Sequence, residues 1–147
     1  MKKLIAFALL ISITSLTSCK KEKIKGCKDV MAKNYNSTAE EDDGSCTFEG
    51  RVIFWQGQAN ASSWSSAGVT SLKYYVDGQL IGSSASNVYY TSAPSCSSTG
   101  LAGVTKSLGS SKSKSFSYYV LDQNNVKQYE GNLNIDASNS CLTFELN

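Results

Sequence analysis

From Glu49 to Leu146 apolar and polar residues alternate in short runs, and nothing after residue 19 sustains the 3.6-residue apolar spacing of an amphipathic helix. Period-two alternation sends successive side chains to opposite faces of a strand, so one face can be buried while the other stays wet. Ser, Gly, Thr and aromatic residues dominate this part, and the whole chain has one Pro. The runs predict strands over 51–56, 69–76, 79–83, 87–91, 104–108, 113–121, 126–135 and 141–146. Asp77-Gly78 between two of them is the signature of a two-residue type I′ hairpin. Ser-rich 58–68, with Trp64, and 94–101, with Cys96, read as loops. The fold class expected is all-β, a small antiparallel β-sandwich of about seven or eight strands over 49–147.

The first 18 residues are of another kind. Lys2 and Lys3 open the chain, residues 4–13 are almost wholly apolar, and small or hydroxylated residues lead to Cys19. This is the layout of a cleaved secretory signal. The run is shorter than the roughly 20 apolar residues a spanning helix needs, and Lys20, Lys21 and Lys23 close it. Leu16-Thr17-Ser18-Cys19 resembles the lipobox of bacterial lipoproteins. That resemblance implies cleavage before Cys19, a diacylglycerol thioether on its sulfur and a further acyl chain on the new amine. One acyl chain holds a protein marginally, whereas two or three make a lasting anchor. Ordinary cleavage nearby would instead leave a free thiol. Residues 1–18 are therefore read as a lipoprotein signal peptide and 19–25 as an acylated tether. Lys21-Glu22 partly resembles the surface-export signal of Bacteroidota lipoproteins. The implied location is the cell envelope, lipid-anchored in the outer membrane, with surface exposure depending on that signal.

Removing 18 of 147 residues leaves 129, enough for one domain with a short appendage. Lys2 and Lys3 leave too, so 14 Lys and Arg become 12 against 12 Asp and Glu. A formally neutral chain with no basic stripe beyond the tether argues against nucleic acid as a partner. Five cysteines is an odd number, and lipidating Cys19 removes the oddness. The remaining Cys27, Cys46, Cys96 and Cys141 are expected to pair in an oxidising compartment. Pairing 27 with 46 and 96 with 141 keeps each bond within one compositional segment. In the loop-entropy model these closures contribute roughly 3 and 4 kcal/mol. No CxxC spacing supports a zinc site.

Residues 26–48 form a separate Cys-bracketed unit with no strand or helix period. Gly26, Cys27, Asp29, Ala32, Asn34, Tyr35, Asn36, Ala39 and Asp42-Asp43-Gly44-Ser45-Cys46 stand at fixed spacing. They resemble a short motif of extracellular Bacteroidota proteins, roughly GC.D..A.NYN..A..DDGSC. About twenty residues cannot build a core, so such a unit needs a disulfide, a metal or both. Asp29, Asn34, Asn36, Asp42 and Asp43 supply hard oxygen donors that would suit Ca2+, although their spacing is not that of an EF-hand. The same residues also cap turns by bonding their own backbone, with no ion required.

The chain has no His, which removes the commonest general base and catalytic zinc ligand. No G-x-S-x-G elbow is present, and nothing in the spacing gathers Asp77, Asp122, Glu130 or Asp136. A non-enzymatic role is expected. Tyr74-Tyr75, Tyr89-Tyr90 and Tyr118-Tyr119 each place one ring on either face of a strand. A row of Tyr75, Tyr90 and Tyr118 with Trp64 is a candidate surface for a glycan or an envelope protein, although tyrosine also favours half-buried strand positions. Tyr75 to Gly82 resembles the opening of PEGA-like surface β-domains. The expected function is a non-catalytic, lipid-anchored interaction module. The alternatives are a purely structural component of an outer-membrane assembly and a calcium-dependent glycan-binding module.

Overall fold

A computed structural model describes residues 21–139 and 141–147. Cys19 and the signal segment lie outside the described residues. Lys25–Gly26 (β1) and Glu41–Asp42 (β2) form a short parallel pair. Then come Phe48–Gln56 (β3), helix Gln58–Ser66 (α1), Ser71–Val76 (β4), Gln79–Ala85 (β5), Gly103–Gly109 (β6), Ser113–Asp122 (β7), Lys127–Asp136 (β8) and Cys141–Leu146 (β9).

Seven of these strands build a sandwich. One sheet has the order β6-β3-β9 and the other β5-β4-β7-β8. Alternation along each strand turns Val52 and Phe54, Leu72, Tyr74 and Val76, Phe116 and Val120, and Leu133 and Ile135 into one core. Phe54 is its centre, with ring centroids 5.5 Å from Phe144, 5.6 Å from Tyr74 and 5.7 Å from Tyr118. Such pairs contribute about 0.5–1.5 kcal/mol each beyond their buried area. Asp77 and Gly78 have φ of 55° and 74°, the two left-handed positions that a type I′ hairpin requires.

Three expectations change. The four-stranded sheet is antiparallel throughout, but β9 pairs with β3 in parallel, Arg51 opposite Cys141 through Gln56 opposite Leu146. Residues 58–68 are not a loop: most of them form α1. Its packing positions are only Ala61 and Trp64, too few to give a helical period among the serines. Residues 87–91 are not a strand. They begin an irregular strap, 87–102, that crosses the outside of the three-stranded sheet. The strap is tied to β3 by Tyr90 N–H on Gln56 O (3.0 Å) and by Phe54 N–H on Ala102 O (2.9 Å). Cys96 bonds Cys141 on the far side of β3. Under it, on the face of β3 turned away from the core, Ile53 is 0% and Trp55 9% exposed. A Cβ at Gly103 would lie 2.8 Å from Ile53 Cγ2 and 2.9 Å from Val52 O, so this close approach requires glycine.

The Cys27–Cys46 disulfide closes the N-terminal unit, with Cα atoms 4.8 Å apart. The unit does not stand alone. Cys27 and Ala32 join the same buried cluster as Phe48, and Lys112 Nζ lies 2.5 Å from Asp29 and Lys33 Nζ 2.8 Å from Glu49. The division at 48/49 falls within β3.

Candidate functional site

Gln56 ends an apolar run, and alternation after Val52 and Phe54 turns its side chain inward, where it is 2% exposed. A buried amide must find partners. Its Nε2 donates to Ser86 O (2.6 Å) and Val88 O (2.9 Å), and its Oε1 accepts Trp64 Nε1–H (2.9 Å). One amide thus fastens α1 to the start of the strap.

The helix is held from other sides as well. Trp64 meets Tyr129 edge to face at 5.7 Å. Asn60 Nδ2 donates to Tyr129 Oη (3.1 Å) and to Leu146 O. Burial pushes the Tyr129 phenol pKa up, with the Asn60 bond acting in the opposite direction. Ser86 Oγ donates to Val69 O (2.6 Å). The result is an open groove between α1 and residues 86–89. It consists of a hollow of about 290 Å³ lined by Ser65, Gly68, Val69, Thr70, Ser86 and Asn87. A second, of about 150 Å³, is lined by Ala61, Ser62, Ser65, Asn87 and Tyr89. Ser65 and Asn87 belong to both, and no charged residue lines either.

The four aromatics expected in one row do not share a surface. Trp64 is turned into the molecule, and Tyr118 packs on Phe54 and on Phe144 at 4.9 Å. Tyr75 faces outward, stacked on Tyr119 with centroids 4.6 Å apart, so the pair's inner ring faces cover each other. Tyr90 is half-buried in the strap and lines a small hollow with Trp55 and Leu101. The ring that borders the groove is Tyr89. Strand alternation pointed to the wrong member of that pair because 87–91 is a strap and not a ladder strand.

The candidate calcium donors cap turns. Asp29 Oδ1 accepts Met31 N–H (3.0 Å), Asn36 Oδ1 accepts Thr38 N–H (3.0 Å), Asp42 Oδ1 accepts Gly44 N–H (3.0 Å) and Asp43 Oδ1 accepts Ser45 N–H (2.9 Å). Asn34 crosses the unit, donating to Ser45 O (2.8 Å) and accepting from Thr47 N–H (2.8 Å). Lys112, bonded to Asp29, holds that carboxyl below its usual range, with Met31 N–H adding to the effect. Hydrogen bonds from Ser45 do the same for Asp43. Among the described residues no group of three or more His, Cys, Asp or Glu is placed to hold a metal. Each of the five donors completes a local turn or cross-link.

The carboxylates considered for chemistry are likewise separated. Asp122 is buried and accepts from Asn124 N (2.8 Å), Val126 N (2.9 Å) and Gln128 Nε2 (2.9 Å), clamping the β7–β8 turn. Asp77 pairs with Lys106 at 3.7 Å and Glu130 with Lys127 at 2.6 Å. Asp136 is held below the usual carboxylate range by hydrogen bonds from Ser138. No helix among the described residues is long and apolar enough to cross a membrane. Comparison of the chain with protein-family models, with curated proteins and with solved structures finds no match.

Proposed function

We propose that the chain is a non-catalytic, lipid-anchored protein of the cell envelope whose β-sandwich serves as an interaction module. One observation carries this reading. Cys27–Cys46 and Cys96–Cys141 are both disulfides, so Cys19 is the single remaining thiol, and it follows Leu16-Thr17-Ser18. Two such bonds accord with an oxidising compartment. A lone thiol directly after an apolar signal segment is where lipidation would act, and two or three acyl chains would then hold the domain at the outer membrane. The non-catalytic part rests on the chain having no His and on Asp122, Asp29 and Asp136 serving turns. The neutral mature chain keeps nucleic acid off the list of partners and leaves envelope proteins and glycans on it.

Palmitate labelling tests the anchor. Label is expected in the wild type and not in Cys19→Ala; label retained by the variant, or absent from both, overturns it. Protease shaving of intact cells reports the leaflet side, with surface exposure predicting cleavage. Affinity purification from detergent-solubilised envelope tests the interaction role.

A second reading, a structural component of an outer-membrane assembly, draws on a different observation. Val30 (74% exposed), Met31 and Tyr35 are large apolar side chains left open to solvent on the N-terminal unit, close in sequence to the tether.

A further inference from the structure

We propose that the groove between α1 and residues 86–89 is a binding site for a short, uncharged oligosaccharide. This rests on the interaction-module reading and names its ligand class. The lining interleaves hydroxyl, amide and phenol groups with the apolar side chains of Ala61 and Val69, and it holds no charge to meet an ionic ligand. Ser65 and Ser86 already donate to Ala61 O and Val69 O. Among the described residues, no other protein group takes up the Thr70 hydroxyl, the Asn87 amide, the Ser62 hydroxyl or the Tyr89 hydroxyl. These four run from one hollow to the other and match the alternating donors and acceptors of a sugar's hydroxyls. Tyr89 is 43% exposed and stands at the end of the smaller hollow, so its ring has a face on which a pyranose C–H surface can pack.

The groove also has the shape and stiffness of a site. The larger hollow, about 290 Å³, lies just under the range for small-molecule pockets, roughly 300–1,000 Å³, and the smaller, about 150 Å³, extends it along α1. Both walls are fixed before any ligand arrives, because Gln56 bonds Trp64 on one and Ser86 and Val88 on the other. Preorganised walls reduce the ordering cost of binding. The groove is open, so water competes for every hydrogen bond and the affinity is expected to be weak.

The test uses the full-length, detergent-solubilised protein in isothermal titration with xylo-, cello-, malto-, manno- and chito-oligosaccharides, and with uronic-acid oligosaccharides as charged counterparts. Saturable binding of at least one neutral oligosaccharide is expected, without preference for the charged ones. Tyr89→Ala and Asn87→Ala should each weaken it about tenfold or more at unchanged Tm, and Tyr89→Phe should retain it. No neutral binder at millimolar concentration, or binding that survives both alanine variants, overturns the proposal. Palmitate labelling and affinity purification are read on the same preparation. A labelled protein that captures an envelope partner but no sugar sinks the groove and leaves the module standing, whereas an unlabelled one that binds sugar sinks the anchor alone.

Discussion

Gln56 sits where the run Val52-Ile53-Phe54-Trp55 would place another apolar side chain, and its amide replaces packing with three directed hydrogen bonds. Gln56→Ala leaves Trp64 Nε1–H and the Ser86 and Val88 carbonyls without it. A loss of roughly 2–4 kcal/mol is expected, read as a lower urea midpoint at unchanged m. A midpoint within error of the wild type would show that water replaces the amide at little cost. Lys112 is the other residue with reach, bonding Asp29 and standing 5.9 Å from the Phe48 ring centroid. Asp29, Asp43 and Asp136 all lie below their ordinary 3.8. A depressed carboxyl stabilises the fold above its unfolded value, and that contribution disappears as pH falls through the folded one. The stability lost on acidification below 3.8 should therefore shrink in Lys112→Ala. In the same variant the Asp29 carboxyl resonance should titrate at higher pH than in the wild type.

Among the elements, the strap over β3 depends most on a covalent tie. It has no ladder of its own, and Trp55 Nε1–H is buried near it with no protein acceptor. Opening the strap hydrates that group, which lowers the cost of opening. The Cys96–Cys141 closure contributes about 4 kcal/mol in the loop-entropy model. In the double variant Cys96→Ser, Cys141→Ser, amide exchange should accelerate in 87–102 before the rest of the sandwich, with tryptophan emission moving to the red. Uniform exchange across the domain would instead make the disulfide a general staple.

At the scale of the whole molecule, the N-terminal unit and the sandwich share one core through Cys27, Ala32 and Phe48, and ion pairs join them at Lys33–Glu49 and Lys112–Asp29. Because four of the five oxygen donors already cap turns and Asn34 cross-links the unit, millimolar calcium is expected to leave the Tm of the full chain unchanged and to give no saturable heat. A rise in Tm would restore the ion site, since a ligand that binds only the folded state stabilises it.

Period-two alternation and Asp77-Gly78 made the strands, the hairpin and the all-β class legible in the sequence, because side-chain alternation and left-handed turn residues are local physics. Cysteine count and segment composition likewise pointed to both disulfides. What alternation lacks is any record of neighbours. Whether β9 lies parallel to β3, whether 87–91 meets a partner strand, and which ring of each tyrosine pair looks outward were decided by tertiary packing. The same holds for α1, whose few apolar positions make sense only against Tyr129 and Gln56. The groove belongs with these, since Ser62 and Ser65 of α1, Thr70, and Asn87 with Tyr89 of the strap come from three separate segments, two of which one buried amide ties together by satisfying its hydrogen bonds.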